Sequence, residues 1–327
     1  MRPDISVVMP LYNKEKHVAR AVESVLGQSY SNIELIVIDD GSTDKSAEVV
    51  ERFKDNRIKL IRQENLGVSA ARNTGIEWSQ ATIIAFLDAD DAYKHNFIER
   101  IVALSNGHPE AVAYALRYEV VRPLYDSRHH FKSPIEHSKL IDLPEFMRIW
   151  KYGSQISASS MAVRKKIIIE AGGFPVGVKL GEDIDTWIRV LFIGPIAYDS
   201  RPGSIYFLDA DNRATKCHTP PAEYEFFDTL DKWIIRKNIT GEMAEEINEF
   251  KNFFRLSHAH YQIRLGRQTI GRKILFECKT SYFMIEKYRL LLLSYAPKQI
   301  YDALATQRQA FSRIRNLIYK KYLTLYD

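Results

Sequence analysis

The chain has 327 residues, 46% hydrophobic and 27% charged, with a formal net charge of +5; wholesale disorder is excluded, and one large domain with an appendage is expected at this length. Two cysteines, Cys217 and Cys278, exclude a disulfide framework, and the absence of any Cys/His cluster excludes structural zinc, so reduced thiols are expected. No apolar run approaches the roughly 20 residues that span a bilayer, and the stretch up to Met9 is too short for a signal-peptide core, so neither insertion nor export is expected.

Ile5–Met9, Glu34–Ile38, Ile58–Ile61 and Thr82–Leu87 are short, β-branched and bounded by turn formers, and are predicted strands. Between them, 16–28, 43–53 and 68–79 place apolar residues at helical spacing; Ala19, Val22, Val25 and Leu26 make one such stripe. Strict alternation implies βαβ units, hence a mostly parallel α/β sheet flanked by helices. Almost no polar residue interrupts these strands, as expected of a sheet buried on both faces.

Beyond Asp91, residues 96–105 are a predicted helix and 111–121 a strand. Residues 122–141 are polar, hold Pro123 and Pro134, and read as a loop of the kind that covers a site in α/β enzymes. Residues 157–163 then read as a strand, with helices over 165–171 and 183–192. Pro220-Pro221 marks a boundary, followed by a nearly all-helical pattern, so domains are expected over 1–219 and 220–327. Residues 251–327 carry 15 Lys and Arg against 4 Asp and Glu, a net +11, which leaves −6 for the first 250.

Ligands of an open parallel sheet bind beyond the carboxyl ends of its strands. The early strands end there in Pro10-Leu11-Tyr12-Asn13, Asp39-Asp40-Gly41-Ser42-Thr43-Asp44, and Asp88-Ala89-Asp90-Asp91, and the third leads into Asn65-Leu66-Gly67. Alternate carboxylates at Asp88 and Asp90 supply hard oxygen ligands suited to Mg²⁺ or Mn²⁺ on a diphosphate, although an acidic turn capping the next helix has the same composition. No phosphate loop and no Gly-x-Gly-x-x-Gly follows a strand, which disfavours ATP hydrolysis and dinucleotide binding. Asp40 can accept a hydrogen bond from a pyrimidine ring N–H, or cap the helix that follows; Tyr12 can stack on the base. Gly181-Glu182-Asp183 opens a helix, where acids are favoured by the macrodipole; Asp183 is also a candidate general base.

Together and in this order, these segments resemble the family 2 glycosyltransferases with the GT-A fold. The carriers are residues 6–13, 38–44, 65–67 with Ala71-Arg72-Asn73-Thr74-Gly75, 86–91, and Gly172-Gly173-Phe174 followed by Gly181-Glu182-Asp183. The resemblance covers roughly residues 4–215. It implies a GT-A catalytic domain with a C-terminal all-α extension. It implies inverting transfer of a sugar from a nucleotide donor, usually UDP-linked, to an acceptor hydroxyl. On this resemblance Pro10, Tyr12, Asp40, Arg72, Asp88, Ala89 and Asp90 bind the donor. Asp90 with Asp88 holds Mn²⁺ or Mg²⁺, Asp183 is the base, and Glu182 lies on the acceptor side. The Gln-x-x-Arg-Trp signature of processive synthases is absent, so transfer of a single sugar is expected. Many relatives supply a late histidine as a further metal ligand; here 206–212 carries Asp209 and Asp211 instead, and His218 reads as a surface residue.

Two other functions compete. A sugar-phosphate nucleotidylyltransferase needs a Gly-rich basic loop after the first strand, which residues 10–13 are not; a non-catalytic nucleotide-sugar-binding subunit would not need Asp90 and Asp183. The acceptor is expected to be a glycan or lipid-linked glycan of bacterial surface-polysaccharide synthesis. The basic, aromatic tail suits an anionic membrane surface or a homo-oligomer contact, which implies a cytoplasmic chain with peripheral attachment to the inner leaflet. It carries no nucleic-acid recognition motif, and no nucleic-acid partner is expected.

Overall fold

The computed structural model describes residues 2–122, 127–129, 135, 138–150, 156–210, 213, 218–221 and 223–296. The chain divides into two compact units, Met1–Thr219 with Tyr224–Ile247, and Pro220–Glu223 with the residues from Asn248 onward. The first helix after Pro220-Pro221 thus belongs with the N-terminal unit.

The N-terminal unit starts as β1 (Ile5–Leu11), α1 (Val18–Leu26), β2 (Ile33–Asp40), α2 (Ser46–Glu51), β3 (Ile58–Gln63), α3 (Val68–Trp78) and β4 (Ile83–Phe86). These strands stand side by side in the order β3-β2-β1-β4, all parallel. Every residue of β1, β2 and β4 is buried, as expected for a sheet covered on both faces, whereas β3 forms the edge and is half-buried. Val18, Ala21, Val22 and Val25 are the face that α1 buries.

β5 (Ala92–Tyr93), α4 (Phe97–Gly107), β6 (Ala113–Arg122), β7 (Ser127–His129), β8 (Ser138–Ile141) and α5 (Leu143–Trp150) follow. Then come a 3₁₀ turn (Ala158–Ser160), β9 (Met161–Arg164), α6 (Lys165–Glu170), α7 (Glu182–Leu191), β10 (Ile196–Phe207) and α8 (Glu225–Lys237). β9 lies antiparallel between β4 and β6; β10 runs parallel to β6 and takes β5 and β8 antiparallel. Among the described residues the sheet has ten strands. The expected loop over 122–141 contains two of them, β7 and β8, because β6 and β10 offer edges that these short segments complete. Pro123 and Pro134 lie outside the described residues.

The second unit holds most of α9 (Glu242–Arg264), with α10 (Gln268–Glu277) and α11 (Met284–Tyr295). Its own core joins Leu256, Ala259 and Ile263 to Leu275, Cys278, Phe283 and Leu290. α10 approaches α9 closely at Gly271, where a Cβ would stand 2.5 Å from Ile263 Cγ1. Burial raises the Cys278 thiol to about 11, so it stays protonated and unreactive at neutral pH. Cys217 lies outside the described residues. Among those described, no helix is long and apolar enough to cross a membrane.

Candidate active site

The loops after β1, β2 and β4 meet at the carboxyl edge of the parallel strands, and the side chains that knit them explain the motif spacing. Asn13 takes a positive φ of 52° beyond β1. Its side-chain oxygen accepts from the Thr43 and Asp44 amides at 2.8 and 3.3 Å, and its own amide donates to Ser42 Oγ at 3.1 Å. Gly41 stands at φ 74°, where a Cβ would meet the Asn65 amide nitrogen at 2.9 Å, so only glycine fits that turn.

Asp40 is buried, and its carboxylate accepts from Gln63 Nε2 at 2.7 Å, the Leu66 amide at 3.0 Å and the Gly67 amide at 2.8 Å. It therefore holds the 65–67 loop against β2, and does not cap α2; the Ser46 amide there donates to Asp44 at 2.9 Å. Three of roughly four acceptor positions on the Asp40 carboxylate are used. Pro10 is buried at the end of β1, and Tyr12 follows it with an exposed ring.

α3 brings in Arg72 and Asn73. It lies tightly on β1, since a Cβ at Gly75 would stand 2.3 Å from Val8 Cγ1. Asn73 clamps the turn before α7: its amide nitrogen donates to the Phe174 carbonyl, and its oxygen accepts from the Phe174 amide, both at 2.8 Å. Gly173, at φ 67°, leaves room for that oxygen. Under the site Phe174 packs edge-on to Phe86 at 5.1 Å and to Trp187 at 5.5 Å.

Arg72 is buried between two carboxylates. Nη2 donates to Asp88 Oδ1 at 2.7 Å and Nη1 to Glu182 Oε1 at 3.0 Å, with the Phe174 ring 5.0 Å from the guanidinium carbon. Burial pulls its pKa down, but Asp88 and Glu182 more than offset this and keep it charged. The expected donor ligand thus spans the end of β4 and the first turn of α7.

On the other side of the Asp88-Ala89-Asp90 turn, Lys14 Nζ bonds Asp90 Oδ2 at 2.7 Å. Arg20 donates to the Asp90 carbonyl at 2.7 Å and pairs with Asp209 at 2.9 Å. Asp209, which the resemblance puts in place of a histidine, is occupied with that arginine; Asp211 lies outside the described residues. Asp91 is fully buried, accepting from Ser159 Oγ at 2.6 Å. Burial, then the charges of Asp90 and Asp88, push its carboxyl well above the usual range. Lys14, Arg20, Asn73 and Asp91 were not among the predicted site residues. Only Asp91 and Asn73 carried a signal, as members of the motifs that gave the resemblance.

Asp183, in the first turn of α7, is partly buried, and its carboxylate accepts from the Ile184 amide at 2.8 Å. Burial raises it to about 7, Glu182 adds to the rise and Arg72 opposes it. Asp185, two residues on, is tied to Thr229 and Arg189 at 2.6 and 2.8 Å and is structural.

Among the described residues, no group of three or more His, Cys, Asp or Glu side chains stands ready as a metal cage. The donor set nonetheless suits a hard divalent cation that retains other ligands. Asp88 and Asp90 are carboxylates, each already facing a cationic group, and after burial their negative charge adds to the rise at Asp91.

The profile of the family described as Glycosyl transferase family 2 matches residues 6–172, ending before α7. The glycosyltransferase GlyG of Streptococcus pneumoniae serotype 4 is 46% identical over 100 residues, 30% of this chain and 33% of GlyG. The minor teichoic acid biosynthesis protein GgaA of Bacillus subtilis is 44% identical over 104 residues, 29% of this chain and 23% of GgaA. The match spans 14 to 40% of the first curated relatives' length. Of solved structures, S. aureus TarS 1-349 in complex with UDP-GlcNAc superposes with a TM-score of 0.66 at 16% identity, covering 94% of this chain and 92% of that one. That likeness establishes the GT-A-type fold, with its helical region.

Proposed function

This chain belongs to glycosyl transferase family 2, and on that premise we propose that it transfers a single sugar, with inversion, from a UDP-linked donor to a hydroxyl of a glycan acceptor. The observation that carries the reading is Arg72, which joins the donor-side carboxylate Asp88 to the helix start bearing Asp183. A base raised to about 7 thereby stands beside a carboxylate turn with hard oxygen ligands. GgaA's role in minor teichoic acid biosynthesis and the UDP-GlcNAc in the TarS structure support a surface-polysaccharide acceptor and a UDP donor.

In this reading Tyr12 stacks on the base, while Pro10 and Ala89 line its pocket. The remaining acceptor position of Asp40 takes the base's ring N–H. Asp88 and Asp90 would hold Mn²⁺ or Mg²⁺, which supplies positive charge against the leaving diphosphate. Asp183 accepts the proton of the acceptor hydroxyl. The freed oxygen bonds the anomeric carbon from the face opposite the diphosphate, and the breaking carbon–oxygen bond leaves its electron pair on UDP. Glu182, held by Arg72, borders the acceptor.

A screen of nucleotide release with UDP-, GDP- and dTDP-sugars, each with Mn²⁺ or Mg²⁺, tests this. UDP release from one UDP-sugar that rises with acceptor supports it. Diphosphate release from UTP plus a sugar 1-phosphate instead would assign nucleotidylyl transfer, and binding of a UDP-sugar without turnover would leave a binding subunit.

A further inference from the structure

α11 has apolar residues on both of its sides. Leu290 and Ser294 are buried inward, with Leu291 and Leu293 packed partly against the unit's core. Met284, Ile285, Tyr288, Leu292 and Tyr295 fall within an arc of about 100° on the opposite side, at 100° per residue. All five are exposed, Ile285 at 75% and Leu292 at 77%. No charged residue interrupts that arc: Glu286 and Arg289 pair with each other, and Lys287 Nζ donates to the Cys278 carbonyl at 2.7 Å. A second apolar face on a helix whose first face already packs on a core needs an apolar phase or partner of its own.

We propose that this face of α11 seats on an anionic lipid surface. Three observations favour lipid over a second copy of the chain. The face is only ~18 Å long for twelve residues at 1.5 Å each, too small for the ~800 Å² per partner of a specific dimer. The segment that carries it is basic: residues 264–296 hold seven Lys and Arg against two acids, a net +5, which favours anionic headgroups over an identical copy. Arg272 lies 4.6 Å over the Tyr295 ring and so sets a cation at the border of the apolar face. Tyr288 and Tyr295 have the amphipathic rings that settle at headgroup depth, with Ile285 and Leu292 reaching further in.

This surface is independent of the catalytic reading, and its test does not depend on turnover. The full chain is sedimented with vesicles of phosphatidylglycerol and phosphatidylcholine, and with phosphatidylcholine alone. Binding to the anionic vesicles is expected, weakening as salt is raised. The double variant Ile285→Asp with Leu292→Asp should lower partitioning about tenfold or more, with unchanged circular dichroism, since both side chains are exposed. Lys273→Glu with Lys279→Glu, also exposed, should reduce binding to anionic vesicles only. Equal partitioning of wild type and the α11 variant, or equal binding to neutral and anionic vesicles, would overturn the assignment. So would a concentration-dependent dimer, seen by light scattering, that the α11 variant abolishes while vesicle binding is absent.

Discussion

Asp183 loses water on one side and gains the Glu182 carboxylate as a neighbour, and both effects oppose its ionisation. At about 7 it is half-ionised near neutral pH, the condition under which a carboxylate removes a proton most effectively. Turnover should therefore rise with pH through about 7. Asp183→Asn should lower kcat by about 10²- to 10⁴-fold and remove that limb of the profile. The same shift has a stability consequence. A carboxyl whose folded pKa lies above its unfolded value favours the folded state at low pH, and that contribution fades as pH rises from about 4 through about 7. Asp183→Asn should consequently raise Tm at pH 8 relative to wild type, with the difference closing in acid. A lower Tm for the variant at pH 8 would mean that the ionised carboxylate is a stabilising partner. Arg72 is the counterweight: its charge, shared between Asp88 and Glu182, prevents a larger rise at Asp183.

At the scale of elements, the site depends on how closely α3 lies on β1. Gly75 has ordinary helical backbone, so what requires glycine there is space, not conformation. Gly75→Ala must push α3 away from Val8, which should cost about 1–3 kcal/mol in urea unfolding. Because Arg72 and Asn73 ride on the same helix, the substitution should also weaken UDP binding; full stability with unchanged binding would show that β1 yields instead. β10 illustrates the opposite relation between pattern and element. Its stretch contains Asp199, Arg201, Pro202 and Gly203, which break alternation, and the pairing with β6 shifts register between Asp199 and Ser204. Arg201 and Arg100 satisfy the Asp199 carboxylate at 2.7 and 2.9 Å, and Gly203 fits against Leu116, where a Cβ would stand 2.3 Å from Cδ1. Hydrophobic periodicity cannot foretell a strand whose irregular residues are satisfied partly by a distant partner such as Arg100.

For the molecule as a whole, the mild +5 is a cancellation between an acidic body and a basic tail, and each compact unit has a separate core. The sheet and its helices bury Val7, Leu35 and Ala85 in one cluster, while Leu256, Leu275 and Leu290 make another. Calorimetry should therefore show two unfolding transitions. UDP with Mn²⁺ should raise only the one assigned to the N-terminal unit, by about 2.7 kcal/mol at 100 times its Kd. A single transition, or a shift of both, would indicate cooperative coupling of the two cores.

The strands up to β4, the helices between them and the acidic turns at their ends were legible from sequence, because local forces produce them: period, β-branching and turn formers. The order of the motifs sufficed to indicate the family. What the carboxylates touch was not legible. Nothing local in Asp90 names Lys14, 76 residues away, and nothing in Arg72 names Glu182, 110 residues away. Asp40 reads equally well as a cap or a base ligand until the Leu66 and Gly67 amides are found on it. Local chemistry determined which groups reach the sheet edge; tertiary structure decided how they are paired. Ionisation depends on the burial and neighbouring charges that only a folded chain creates, so the raised pKa of Asp183 was likewise decided there.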